Sequence, residues 1–188
     1  DDPEIFLVDP EMRGVLPLDH FHIPRKLRKV VRSDRFEIRV DTNFGRVMDA
    51  CAAPGPGRTS TWINATIFNL YNELHRRGFA HSVECWQEDE LVGGLYGVAL
   101  QGVFFGESMF SLESDASKVA LHTLCQLHTE LDIALVDCQM ETPHLMSLGA
   151  RSLDRQTFEQ ALARHQQRDN RGLWPRPRSP LPALAGGI

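Results

Sequence analysis

Apolar residues alternate with charged ones at Phe36, Ile38 and Val40, the period-two pattern of a strand with one buried face. The period then lengthens. Phe44, Val47, Met48 and Cys51 recur at helical spacing until the run Pro54-Gly55-Pro56-Gly57 breaks it. A second helix is predicted with Ser60 or Thr61 as its cap, an inward stripe of Ile63, Ile67, Leu70, Tyr71 and Leu74, and a stop at Gly78. Three strands follow, Ala80 to Trp86, Leu91 to Leu100 and Val103 to Phe105, and the acidic turn Gln87 to Glu90 makes the first two a hairpin of an antiparallel meander. An amphipathic helix from Asp115 to Leu131, with Val119, Leu121, Leu124, Leu127 and Leu131 inward, leads into a strand from Ile133 to Val136. That is a crossover connection. Two more helices are expected over Thr142 to Leu148 and Asp154 to His165.

The order β-α-α-β-β-β-α-β-α is similar to the GNAT acyltransferase fold. The fold class expected is therefore α/β (α+β), a mixed and mostly antiparallel sheet flanked by helices; element order alone assigns no reaction. Prolines at 3, 10, 17 and 24 punctuate the opening segment, which reads as a short N-terminal arm or the remnant of a small domain over residues 1–24. Residues 25–174 form the expected catalytic domain and 175–188 a loose proline-rich tail. The chain starts at Asp1, inside an apolar run, which is the expectation for a trimmed N-terminus.

With 42% hydrophobic and 24% charged residues in 188, the chain has the balance of a folded protein and not of a disordered one. No apolar stretch is long enough for a membrane span and no basic-then-apolar leader precedes the first element, so a cytoplasmic protein without membrane contact is expected. Cys51, Cys85, Cys125 and Cys138 are far apart and form no C-x-x-C pair, consistent with free thiols. The net charge of -5 argues against a nucleic-acid partner until its distribution is considered. Arg25, Lys26, Arg28, Lys29, Arg32 and Arg35 make one basic cluster, Arg164, Arg168, Arg171, Arg176 and Arg178 another.

Candidate chemistry collects in three stretches: Gly106 to Ser111, Val136 to Gln139, and Trp86 with the glycine-rich run Gly93 to Gly97. All lie at strand ends or on central strands, where open sheets hold ligands. Asp137 follows Ala134-Leu135-Val136, so its carboxylate leaves a dry environment and needs a partner; capping the next turn is the alternative. Gln139, two residues on, shares its face if the chain stays extended, which would let Asp137 orient the amide. Glu107 fits a general base, a ligand-orienting acceptor or a counter-charge equally well. His81 and Glu84 read as core hydrogen-bonding residues.

Other motifs fail on detail. Gly106-Glu107-Ser108-Met109-Phe110 has Phe110 where a nucleophile elbow closes on glycine. His20 and His22 lack a third ligand at fitting spacing, so no metal is expected. The segment Glu107 to Lys118 contains no glycine, unlike the pyrophosphate cradle of acetyl-CoA enzymes of this fold. No cofactor is expected, and an acyl donor carried on a polyanion such as aminoacyl-tRNA fits the basic clusters.

Several runs resemble the bacterial leucyl/phenylalanyl-tRNA-protein transferases in order and spacing: His81 to Glu84, Glu88 to Gly97, Gly106 to Ser111, Ala116 to Lys118, Asp137 to Gln139 and Ser147 to Ala150. The resemblance spans roughly Asp9 to His165. It implies transfer of Leu or Phe, and Met less well, from tRNA to proteins with N-terminal Arg or Lys, marking them for N-degron proteolysis. Carried to matching positions, Asp137 would hold Gln139, Gln139 would position or help deprotonate the acceptor amine, Glu107 would help bind the reacting ends, and Trp86 would stack on the terminal adenosine. Phe104, Ser108, Met109, Leu121 and Leu135 would bind the donor's amino acid. Arg25, Lys26, Arg28, Lys29, Arg76 and Arg77 would contact tRNA. A monomer is expected.

The chain departs from the family in two places. Phe6-Leu7-Val8-Asp9-Pro10 stands where the family carries tryptophan before an Asp-Pro-x-x-Arg region, and an upstream aromatic-x-x-Gly-(Ile/Leu)-Phe-Pro motif is missing. These leave two other readings, a tRNA-dependent aminoacyltransferase of the peptidoglycan-bridge type and a non-catalytic tRNA- or degron-binding module.

Overall fold

Elements form where side-chain periodicity finds a face to bury, and in the computed structural model seven strands meet in one sheet, in the order β2-β3-β4-β5-β6-β1-β7. The structure describes residues 9–18, 21, 23–54, 61–165, 168 and 172–174. Phe6 to Val8, His20, His22, Ser60, the arginines 171, 176 and 178, and the expected tail 175–188 lie outside them.

In chain order the elements are β1 (Met12–Pro17), α1 (Arg25–Arg32), β2 (Glu37–Val40), α2 (Phe44–Ala52), α3 (Ala65–Arg76), β3 (Ala80–Gln87), β4 (Glu90–Leu100), β5 (Val103–Ser111), α4 (Ala116–Gln126), β6 (Leu135–Gln139), α5 (Pro143–Met146), β7 (Arg151–Asp154) and α6 (Arg155–His165). All adjacent strands pair antiparallel except β5 and β6, which pair parallel across the α4 crossover. The expected mixed, mostly antiparallel sheet with flanking helices is what forms. Among the described residues no helix is long and apolar enough to cross a membrane.

Three elements had not been predicted. β1 lies within residues 1–24 and is hydrogen-bonded on both sides, to β6 and to β7; its Val15 and Leu16 stand side by side between Gly14 and Pro17, so no alternation marks it. α1 buries Leu27 and packs on α4, so the basic cluster is also an amphipathic helix. β7 is an edge strand with no buried residue. Boundaries moved too. β5 runs on to Ser111 and β6 to Gln139, which puts both candidate motifs on strands. The cap of α3 is Asn64, whose side chain accepts from the Ile67 N–H at 2.9 Å, and Leu70 is half exposed instead of inward.

α1 and α4 cover one face, where Leu16, Val83, Leu95, Phe104, Leu121, Leu124 and Val136 form the main core. On the other face α2 and α3 cover β3, β4 and β5 over Phe44, Met48, Ile67, Trp86, Tyr96 and Phe110. α6 covers the β1 end over Val15, Val103, Leu135 and Phe158. Two glycines permit this packing. A Cβ on Gly93 would come within 2.4 Å of the Ala116 Cβ, at the start of α4, and one on Gly97 within 2.2 Å of the Phe105 carbonyl.

Candidate functional site

β5 and β6 run side by side only from Val103/Leu135 to Phe105/Asp137. Beyond that point β5 stays with β4 as far as Ser111, while β6 stays with β1 as far as Gln139. The two candidate motifs therefore stand on either side of the divergence, at the ends of neighbouring strands. Glu107 is the extra residue of a β-bulge, since Gly97 pairs with Gly106 and Tyr96 with Ser108. Bulges re-aim a side chain and interrupt pairing, and they concentrate beside active sites.

Asp137 is fully buried, and its carboxylate is gripped by Arg13 of β1. Arg13 Nη2 donates to Oδ2 at 2.7 Å and Nε to Oδ1 at 3.0 Å. The guanidinium also lies 5.1 Å from the Phe158 ring centroid, and its outer nitrogen reaches Asp9 at 3.4 Å. This is the forked geometry that makes Arg the partner for a dry carboxylate. Sequence reading missed Arg13; its signal was the matching Asp-Pro-x-x-Arg run, read only for its absent tryptophan.

Asp137 also holds Gln139, but through the main chain: the Gln139 N–H donates to Oδ1 at 2.9 Å. Gln139 is not extended. Its φ is +57°, and the Met140 N–H donates to the Cys138 carbonyl at 2.6 Å, the hydrogen bond of a γ-turn. A non-glycine residue in that conformation is strained and stays there only if its surroundings enforce it. Asp137 is the enforcing group, so the expected carboxylate–amide contact is replaced by a carboxylate–backbone contact.

On the other side of the divergence, the Glu107 carboxyl lies near Tyr71 of α3. Burial raises Glu107 above the ordinary carboxylate range; Tyr71 opposes that, the nearby Asp137 charge adds to it, and Arg13 counters it. Burial likewise keeps the Tyr71 hydroxyl protonated. Tyr71 had been read only as part of an apolar stripe.

Phe104, Leu121 and the partly buried Met109 share one core cluster with Val136. Leu135 does not join them. Alternation along β6 sends it to the opposite face, against Val15, Val103 and Phe158. Ser108 sits half-buried beside the bulge.

Trp86 is only 4% exposed. Its indole N–H donates to Glu84 at 3.0 Å, and the guanidiniums of Arg39 and Arg46 lie 4.4 and 5.2 Å from its ring. A nucleotide base could stack on it only after displacing an arginine. Glu84 is buried as expected and also accepts from the Asn43 N–H, Ser82 and Thr42, tying β3 to the start of α2. Trp62, just before α3, is 51% exposed.

Asp41, His75 and His81 place three potential ligand atoms within 4.8 Å of one another. Their atoms are already engaged. Asp41 accepts from His81 Nδ1 at 2.7 Å and from the Ser82 N–H at 2.8 Å, His75 Nδ1 lies 2.8 Å from the Ala80 carbonyl, and His81 Nε2 lies 3.1 Å from that of Gly78. The cluster joins the turn after β2 to the turn before β3.

Arg25, Lys26, Arg28 and Lys29 are exposed on α1, and none forms an ion pair with a described residue. Arg76 and Arg77 differ. Both bind Glu73, whose carboxyl they hold down at about 2.

The family model described as "Leucyl/phenylalanyl-tRNA protein transferase" matches residues 15–163. A leucyl/phenylalanyl-tRNA–protein transferase of Phenylobacterium zucineum is 57% identical over 164 residues, covering 87% of this chain and 74% of that protein. One of Novosphingobium aromaticivorans is 46% identical over the whole chain and 72% of its own length. Among solved structures, L-PGS from Bacillus licheniformis matches with a TM-score of 0.46 at 14% identity, over 71% of this chain and 46% of that one.

Proposed function

The chain belongs to the leucyl/phenylalanyl-tRNA protein transferase family, and from that membership we propose that it moves Leu or Phe, and Met less well, from aminoacyl-tRNA to the N-terminal Arg or Lys of acceptor proteins. The product is a protein marked for N-degron proteolysis. The observation that carries this reading beyond membership is the placement of Glu107 and Asp137 near one another on either side of the divergence of β5 and β6.

The reaction is attack of an amine on an ester. Asp137, clamped by Arg13, fixes the strained turn at Gln139, which presents its neutral amide to the reacting groups as a hydrogen-bond partner. Glu107 faces the acceptor amine. Met109, partly buried against the core of Phe104, Leu121 and Val136, is the apolar contact for the donor's side chain, whose burial is worth about 1.5–3 kcal/mol. Ser108 lines the entrance.

An unpaired base needs a free aromatic face, and stacking on one contributes about 1–3 kcal/mol. With Trp86 covered, the exposed Trp62 takes the terminal adenosine. The exposed basic face of α1 binds the tRNA backbone; Arg76 and Arg77 contribute less, because Glu73 offsets part of their charge. In this reading the protein acts as a monomer, in the cytoplasm where its donor is made.

The test supplies radiolabelled Leu-tRNA and a peptide with N-terminal Arg. Transfer by the wild-type protein, lost in Asp137→Ala with tRNA affinity largely kept, is expected. Binding without transfer would make the protein a tRNA-binding module instead.

A further inference from the structure

We propose that Phe158 of α6 is a positioning residue for the transfer step. Its ring is the platform that keeps the Arg13 guanidinium aimed at Asp137, and through Asp137 it holds the turn that presents Gln139. The proposal rests on the transferase reading above and adds to it a residue outside the reacting groups.

An arginine grips a carboxylate in a fork only while its long stem is held in one conformation, and a free side chain of that length has many. Arg13 makes both contacts at once, Nη2 to Oδ2 at 2.7 Å and Nε to Oδ1 at 3.0 Å, and the same Oδ1 accepts from the Gln139 N–H at 2.9 Å. A swing of the guanidinium would turn the carboxylate and release the strained residue that it restrains, whose φ is +57°. Arg13 therefore needs a support of its own.

α6 supplies it because of where the helix starts. β1 pairs with β7 so that Met12 stands opposite Asp154 and Arg13 opposite Leu153. Asp154 then caps α6: the Thr157 N–H donates to its Oδ1 at 2.8 Å and the Thr157 hydroxyl to its Oδ2 at 2.9 Å. Phe158 is the next residue, so the first turn of the helix brings it back to the strand that carries Arg13. Its ring is buried with Val15, Val103 and Leu135, and the Arg13 guanidinium lies over it at 5.1 Å from the centroid. A cation is attracted to the negative face of an aromatic ring, more strongly where water is excluded. The Arg13 side chain is 14% exposed and the Asp137 side chain 0%.

A second brace is present and weaker. Asp9 lies 3.4 Å from Arg13 Nη1 and 2.8 Å from Arg155 of α6, but both Asp9 and Arg155 are exposed, and exposed ion pairs contribute little. The ring is the contact that decides.

The experiment measures kcat and KM separately, with Leu-tRNA and an Arg-initiated peptide, for wild type, Phe158→Leu, Phe158→Tyr and proteins in which Phe158 is replaced by mono-, di- or trifluorinated phenylalanine. Leucine keeps an apolar side chain in the cluster but has no ring face, tyrosine keeps the face, and fluorine withdraws negative charge from the face at nearly constant size. Thermal melts check that each protein folds. Phe158→Leu should lower kcat by roughly three- to tenfold, the range of a cation held over a ring, with KM for Leu-tRNA unchanged. Phe158→Tyr should keep the wild-type kcat, and kcat should fall stepwise with each added fluorine. A ring that only fills the core would leave kcat flat across the fluorinated series, and that result overturns the proposal, as does a folded Phe158→Leu protein with wild-type kcat. If leucine prevents folding, the fluorinated series decides alone. A wild-type protein that transfers nothing overturns the transferase reading itself, a distinguishable failure.

Discussion

The Arg13 guanidinium and the Asp137 carboxylate form a forked ion pair between β1 and β6, with contacts of 2.7 and 3.0 Å and no solvent exposure of the carboxylate. The same carboxylate holds the backbone of Gln139 in a positive-φ turn. A strand near the start of the described chain therefore sets the conformation of a motif more than a hundred residues later.

Replacing Arg13 by Met leaves a buried carboxylate unpaired, which costs about 3–5 kcal/mol. Urea denaturation should show a loss of that size. Arg13→Lys keeps the charge without the fork and should recover only part of it. A loss below about 1 kcal/mol, the range of exposed pairs, would mean the pair is not buried in solution.

Gly97 faces the bulge that carries Glu107. An alanine Cβ there would lie 2.2 Å from the Phe105 carbonyl and 2.7 Å from the Phe104 ring, so backbone has to shift. Gly97→Ala should destabilise by about 1–3 kcal/mol, and transfer activity should fall further than stability because the displaced strand is the one that carries Glu107. Equal activity per folded molecule would contradict this.

His122 is buried on α4 against Phe21, with no partner for its Nδ1 among the described residues, and burial holds it below its ordinary value. With the folded value below the unfolded one of about 6.5, the unfolded chain binds the extra proton. Stability is then fully present above that pH and declines as pH falls through the folded value. His144 and His165 are shifted in the same direction but are less buried. In His122→Leu the slope of stability against pH on the acid side of 6.5 should fall by roughly one proton, as read from denaturation midpoints; an unchanged slope would assign the acid loss elsewhere.

The exposed cations of α1 predict salt-dependent tRNA binding. Neutralising Arg25, Lys26, Arg28 and Lys29 together should lower the slope of log K against log salt by up to about three, with smaller effect from Arg76 and Arg77, which remain bound to Glu73. Filter binding across a salt series measures it.

The long elements were legible because their periods repeat. α2, α3, the β3–β4 hairpin and the β5–α4–β6 crossover were read from their apolar spacing, and the apolar run Ile133 to Val136 put Asp137 just past a strand end, leaving a dry environment. β1 and β7 were not, because neither alternates apolar with polar residues, and α1 was read for its charge before its amphipathicity.

The sequence by itself determined the meander and crossover and the presence of Glu107, Asp137 and Gln139 in two recognisable runs, because these depend on local spacing and residue type. Only the tertiary structure decided which groups meet. Arg13 reaches Asp137, Tyr71 comes near Glu107, and Trp86 is sealed by Glu84 and two arginines. Those contacts join residues far apart in the chain through strand order and bulges, and neither leaves a signature in local periodicity.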